Sequence, residues 1–399
     1  MMNDRMTILL LVWSVLVSAG FAQPVSFTKL RLADHYYADG INYGDFNKDG
    51  KRDIVAGPYW YAGPTFKAKH AIYEPVALKP EASPSNSMFS FVHDFDGDGW
   101  DDVLVLGRVH KHAAYWYQNP QGKTGHWQKH YVFERVRGES PTLTDINVDG
   151  KPDLICHWEG RWGWLSPGSD PTKAWAFRSI SHPGPYNQFY HGTGVGDVNG
   201  DGRSDLIINE GWWEQPETDQ PVWRFHRYQF SDARGGAQMF AYDVDEDGDN
   251  DIISSLDGHG WGLAWFEQID RDGKIDFRKH MVMGDRSEES TYGVAFSQVH
   301  ALDLKDIDGD GRKDIVTGKR RWAHGPKGDA EPNADPVVYW FRLTESATGV
   351  RFVPHRIDAA SGTGVQITAI DIDANDSTDV LTVSKLGTFV FLNNAIPRR

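Results

Sequence analysis

The stretch Asp306-Ile307-Asp308-Gly309-Asp310-Gly311-Arg312-Lys313-Asp314 puts carboxylates at positions 1, 3, 5 and 9 and a glycine at position 6. Oxygen ligands at the first three of these positions, then a glycine for a sharp turn, are what a loop needs to wrap a hard cation such as Ca²⁺. The pattern recurs along the chain. Its other full copies are Asp45, Asn47, Asp49, Asp53; Asp94, Asp96, Asp98, Asp102; Asp145, Asn147, Asp149, Asp153; Asp197, Asn199, Asp201, Asp205; and Asp243, Asp245, Asp247, Asp251. In a seventh, degraded copy Asp371, Asp373, Asn375 and Asp379 remain, but Asp376 replaces the glycine.

An EF-hand would need a glutamate at position 12 and a following helix. Here position 12 is Ala56, Val105, Cys156, Ile208, Ser254 or Thr317, and the acid at position 9 is followed by β-branched residues or leucine. Each loop is therefore expected to join two strands. Successive loops start 46 to 65 residues apart, a blade-sized period. A second strand then carries an aromatic residue, Trp60, Trp116, Trp164, Trp213, Trp265 or Trp340, with Phe389 or Phe391 in the last repeat. An outer strand pairs an aromatic with a basic residue: Phe66 with His70, Trp127 with His130, Trp175 with Arg178, Trp223 with His226, Phe277 with His280, Phe352 with His355. The seventh repeat ends without this strand, but Phe27-Thr28-Lys29-Leu30-Arg31-Leu32 matches it in register. The expectation is an all-β, seven-bladed β-propeller with calcium-binding DxDxDGxxD loops, closed by the N-terminal strand over residues 23–399.

On these loops the chain resembles the FG-GAP, or VCBS, repeat proteins, including the calcium-loop blades of integrin α-subunit heads. The resemblance covers essentially all of the chain after residue 22. It implies the fold and about six Ca²⁺ ions, and leaves function open among adhesion modules, lectins and lyases.

Composition fits that picture. Of 399 residues, 24% are charged and 40% hydrophobic, enough for a sizeable core, and 41 glycines with 16 Trp, 15 Tyr and 20 Phe suit turns and strands better than long helices. The net charge of −15 argues against a general affinity for nucleic acid or an anionic membrane surface. Six divalent ions would cancel most of it. The single cysteine, Cys156, excludes an internal disulfide framework and a multi-thiolate metal site. Arg5, the apolar run Ile8 to Val17 and the small residues before Ala22 read as a signal peptide over residues 1–22, too short to span a bilayer. The expected location is secreted or periplasmic, without membrane insertion.

If the acidic loops lie at one end of the ring, the opposite end is built by residues about six before each loop and by those after each second strand. The first set supplies Asp39, Glu139, His191, Gln238, His300 and Gln366. The second supplies Arg108, His110, His157, Glu159, Asn209, Glu210, Asp257, His259, Lys319, Arg320, His324 and Lys385. Trp158, Trp162, Trp212, Trp261 and Trp322 are expected in the same funnel, and the outer-strand histidines His70, His130, His226, His280 and His355 are read as structural. Aromatic platforms beside ionisable side chains suit a saccharide or polysaccharide.

The chemistry that fits is proton abstraction next to a carboxylate or carbonyl, followed by β-elimination. His157, His191 or His300 is the expected base, with Arg108, Lys319 and Arg320 neutralising negative charge. Substrate contacts are expected from Glu159, Asn209, Glu210, Asp257, His259, Trp158, Trp162, Trp261, Trp322 and His324. Two or three histidines with Asp257 or Glu159 form an alternative ligand set for an additional divalent metal. Glu159 with Glu210 is a weaker glycosidase pair. The rival class is a non-catalytic lectin or adhesion propeller, with a saccharide or a protein as its partner. Val299-His300 shortly before the loop at Asp306 is similar to the propeller domain of aldos-2-ulose dehydratase, over a short stretch.

Overall fold

A computed structural model describes residues 25–81, 84–107, 112–347 and 349–395. The signal-peptide reading of residues 1–22, and Arg108 and His110, lie outside the described residues.

Strand β1 (Phe27–Ala33) precedes a quartet β2–β5 (Ile41–Gly44, Asp53–Ala56, Tyr59–Tyr61, Lys69–Ala71). Then come β6–β9 (Phe89–His93, Asp102–Leu106, Ala114–Gln118, Gln128–Phe133) and β10–β13 (Arg137–Thr144, Asp153–Trp158, Arg161–Ser166, Ala176–Ser179). Next are β14–β17 (Thr193–Gly196, Asp205–Ile208, Gly211–Glu214, Arg224–Arg227) and β18–β21 (Gln238–Tyr242, Asp251–Ser255, Leu263–Asp270, Ile275–Met283). The chain finishes with β22–β25 (Leu302–Lys305, Asp314–Gly318, Val338–Ser346, Gly349–Asp358) and β26–β28 (Ile367–Ile370, Asp379–Ser384, Gly387–Asn393). The only α-helix among the described residues is the single turn Glu289–Tyr292.

The arrangement is that of an all-β propeller, but it is not seven separate sheets. Five sheets are free-standing and four-stranded, while β14 to β21 make one eight-stranded sheet, two antiparallel quartets joined along β14 and β18 by the parallel pairs Thr193↔Gln238 and Gly194↔Met239. Glycine permits the join. A Cβ on Gly194 would lie 2.1 Å from the Met239 carbonyl oxygen, and one on Gly196 would lie 2.7 Å from the Ala241 Cβ. Without side chains these inner strands approach to hydrogen-bonding distance. Gly194→Ala is expected to cost about 1–3 kcal/mol by overpacking, read by urea unfolding, and to speed amide exchange at the β14–β18 seam.

Each acidic loop connects the first and second strands of its repeat, and the position-9 aspartate opens the second strand. Asp53, Asp102, Asp205, Asp251, Asp314 and Asp379 are buried, and each accepts two backbone N–H groups, one from position 2 of its own loop and one from a residue after or within the third strand. Asp205, for example, receives Val198 N–H at 2.9 Å and Gln215 N–H at 2.8 Å. Apolar side chains bury in seven clusters among the described residues, each between consecutive repeats. One holds Ile41 and Ile54 of the first quartet against Leu381 and Val390 of the last. Strand β1 pairs antiparallel with β28 from Phe27↔Asn393 onward, so both ends of the chain share one sheet.

The outer-strand histidines are packing groups. His70, His130, His226, His280 and His355 stack on Trp60, Trp116, Trp212, Trp265 and Trp340 at centroid distances of 4.1–4.6 Å. In the third repeat the Arg178 guanidinium takes that place over Trp164. The fourth repeat corrects the sequence reading: Trp212, expected in the funnel, is the blade tryptophan opposite His226, whereas Trp213 faces the neighbouring repeat beside Trp162. Two adjacent tryptophans sit on opposite faces of one strand, and composition does not say which faces which.

Candidate functional site

A cavity of about 730 Å³ opens at the end of the ring opposite the acidic loops. It draws on the segment before β14, the β15–β16 turn, the segment before β18, the β19–β20 turn and the segment after β23. Its walls include the aromatic rings of Tyr186, Phe189, Tyr190 and Phe225 together with Glu139, His191, Asn209, Glu210, Arg227, Arg234, His259, Arg320 and His324.

Asn209 sets the local frame. Its amide donates to the carbonyls of His191 at 2.6 Å and Arg234 at 3.1 Å, and it fits because Gly192 and Gly235 have no side chain, a Cβ on either falling 2.2 Å from the Asn209 amide. The buried charges lie deeper. Arg320 lies 3.5 Å from Asp39 and 3.9 Å from Glu139, and Asp39 in turn accepts the Tyr36 hydroxyl at 2.6 Å. Burial pushes the Glu139 carboxyl up, but the neighbouring charges of His191 and Arg320 outweigh it and hold the group down at about 2.

Four histidines meet here. His191, His259 and His300 are buried with ring centroids 4.8–5.4 Å apart. The exposed His324 stacks on His259 at 4.5 Å. Asp329 Oδ1 faces Nδ1 of both His259, at 3.1 Å, and His324, at 2.9 Å. Burial and the charge of His191 lower His259 to about 4, and burial carries His300 well below the usual imidazole range. Both rings are therefore neutral near pH 7.

Of the residues expected in the funnel, His191, Asn209, Glu210, His259, Arg320 and His324 line the cavity, and His300 lies directly beneath it. Others do not. His157 is fully buried in the third repeat against Trp162 and Tyr190, and burial keeps it neutral at about 4. Trp162 is a core residue of the same cluster. Glu159 sits exposed in the β11–β12 turn at φ 47°, away from the histidines, and does not pair with Glu210 across the cavity. Trp158 packs on Phe133 and Arg137, and Trp261 under Arg286. Trp322 is buried, donates to Asn333 and carries Arg321 over its ring.

Lys319 and Arg320 point in different directions. Arg320 reaches Asp39 and Glu139, while Lys319 donates to Ser297 at 2.7 Å, and burial lowers its amine to about 8. Asp257 accepts the backbone N–H of His259 and shapes its own turn. Tyr186, Tyr190, Arg227, Arg234 and Asp329 carry no repeat signature, and spacing alone did not find them. The Tyr190 hydroxyl donates to Glu210, and burial beside that carboxylate raises the phenol far above its ordinary range.

Residues 94–156 match the model of the FG-GAP-like repeat. Among curated proteins, none matches the chain by sequence. Solved structures similar to it include BBS1N in complex with ARL6DN, at 11% identity and TM-score 0.50, covering 94% of this chain and 97% of that one. Rhamnogalacturonan lyase YesW aligns at 14% identity and TM-score 0.44, covering 94% and 75%. The V. cholerae biofilm matrix protein Bap1 aligns at 12% identity and TM-score 0.39, covering 91% and 81%. Identities this low speak to the fold alone.

Proposed function

We propose that this chain is an exported, calcium-loaded FG-GAP/VCBS propeller of seven repeats whose cavity binds an acidic saccharide and cleaves it by β-elimination. The count of seven treats the eight-stranded sheet as two fused blades, which the seven inter-repeat clusters support. Export rests on the signal-like residues 1–22.

Calcium fits the loops by donor chemistry. Carboxylate oxygens of Asp94, Asp96 and Asp102 lie within 4.8 Å of one another, as do those of Asp243, Asp245 and Asp251 and those of Asp306, Asp308 and Asp314. All-oxygen donor sets of this kind suit a hard divalent ion, which would clamp each turn. In the sixth loop Arg342 rests on Asp308 at 2.6 Å and on Asp310 at 3.0 Å, so an incoming ion must displace it. That loop and the fourth, where Arg203 rests on Asp201, are expected to bind the ion more weakly than the others.

The observation that carries the catalytic reading is the cavity wall itself, in which aromatic rings and Arg320 share the lining with His324, held through Nδ1 by Asp329. In this reading the free Nε2 of His324 removes the proton α to the uronate carboxylate. The arginines lining the cavity neutralise the carboxylate as charge builds on it, the electron pair forms a C=C bond, and the C–O bond to the neighbouring sugar breaks. The Tyr190 phenol, kept protonated, gives the leaving oxygen its proton. His324 takes the base role ahead of His191 and His300 because it alone of the three is exposed to the cavity mouth.

Incubation with uronate-rich polysaccharides is expected to produce the absorbance of an unsaturated uronate, and His324→Ala to reduce that turnover by about 10²–10⁴-fold. Unchanged turnover in His324→Ala would sink the assignment. Saccharide binding that depends on Tyr186, with no product from any uronate polymer, would favour the lectin reading, for which the aromatic wall suffices.

A further inference from the structure

Beneath the cavity, the three buried histidines share a feature that proton transfer does not require. Each Nδ1 is committed to an oxygen: His191 to the Phe189 carbonyl at 2.6 Å, His259 to Asp329 at 3.1 Å, His300 to the Gln298 carbonyl at 3.3 Å. Such contacts fix the ring orientation and leave Nε2 as the free nitrogen. Nε2 of His191 and of His300 are buried and make no hydrogen bond, although the Glu139 carboxylate faces that of His191 at 3.4 Å. A buried nitrogen without a hydrogen bond is costly, and the His300 nitrogen in particular calls for an occupant that the protein itself does not supply. One ring nitrogen of each of the three lies within 4.8 Å of the others.

The space is also kept open. A Cβ on Gly258 would lie 3.1 Å from the His191 ring and 3.3 Å from His300 Nε2, so the residue facing the cluster is one without a side chain.

We propose that His191, His259 and His300 hold a divalent transition metal of the Zn²⁺ class through their imidazole nitrogens, with Asp329 and the Phe189 and Gln298 carbonyls orienting the rings and an open position toward the cavity. Three imidazoles with outer oxygen partners are an unattractive site for calcium, which takes oxygen ligands, so this metal would be chemically distinct from the ions proposed for the acidic loops. The carboxylates expected from the sequence, Asp257 and Glu159, are replaced by Asp329 and Glu139. The proposal does not depend on the saccharide reading, because metal binding is measured without any sugar.

The full chain, purified in calcium and stripped of transition metals, is titrated with Co²⁺ and followed by visible absorption, with metal content measured after dialysis against Zn²⁺. One Co²⁺ per chain is expected, with the visible bands of a four- or five-coordinate nitrogen site. His300→Gln and His259→Gln should weaken Co²⁺ binding at least 100-fold, and Asp329→Asn 10–100-fold through ring orientation. His226→Gln, a change at the outer-strand ring that stacks on Trp212, should leave it unchanged. Matched melting curves in calcium separate lost ligation from lost folding. If His300→Gln unfolds, His259→Gln and the Asp329→Asn shift carry the test. The proposal is overturned if the wild type shows no such bands, or if the folded His259→Gln and His300→Gln variants keep wild-type stoichiometry and spectrum. Loss of the site in His324→Ala with retention in His300→Gln would also overturn it, by moving the metal to the His259, His324 and Asp329 group.

Discussion

Complete removal of calcium by EGTA is expected to lower the melting temperature by roughly 15–30 °C. An ion at 100-fold its Kd stabilises the folded state by about 2.7 kcal/mol, and six independent sites would reach about 16 kcal/mol. At ~1–2 °C per kcal/mol for a chain of this size, that gives the stated fall. The drop should also grow with pH. Burial foremost, with neighbouring loop carboxylates adding to it, raises Asp53 and Asp153 to about 6, Asp205 and Asp251 to about 7, and Asp102 and Asp314 to about 8. A carboxyl whose folded pKa exceeds its unfolded value near 4 keeps more protons when folded, so the metal-free protein loses stability as pH rises from about 4 to 8. A bound cation holds the same groups ionised and removes that loss. Scanning calorimetry with and without EGTA at pH 6 and pH 8 measures both effects. A melting curve indifferent to chelation at both pH values would rule out the loops as calcium sites.

Asp205→Ala is expected to cost about 2–6 kcal/mol even without calcium, because it strands the buried N–H groups of Val198 and Gln215, each worth about 1–3 kcal/mol when left unpaired. Asp201, more exposed, would contribute through the proposed ion. Asp201→Ala should therefore destabilise in calcium and have little effect in EGTA. Urea unfolding of the two variants, each with and without calcium, separates the staple from the ligand. Equal losses in EGTA would show that position 9 is not the structural acceptor described above.

The repeat was legible because its chemistry is local. Positions 1, 3, 5, 6 and 9 lie within one turn, and the outer-strand register that pairs His70 with Trp60 is fixed by a hairpin. The fusion of two quartets was not legible: it depends on Gly194 meeting Met239, residues 45 apart, and a glycine in a strand announces close approach without naming its partner. The site divided the same way. Residues at repeat positions, such as His191, His259 and Arg320, were found by spacing. Asp329 and Tyr186 come from irregular segments that differ between repeats. Tryptophan misled most: Trp162 and Trp212 were counted with the funnel although both are buried between repeats, since a large aromatic serves packing as readily as a ligand.

The pairing of β1 with β28 gives the ring an order of assembly. Phe27 and Asn393 lie 366 residues apart, so β1 stays unpaired until the whole of the intervening chain is available. Until then the protein is an open arc with two raw edges, and ring closure joins strands across all seven repeats, an entropically costly contact to form. Deleting either β1 or β28 would reopen the same seam, so two strands far apart in sequence act as one closing unit.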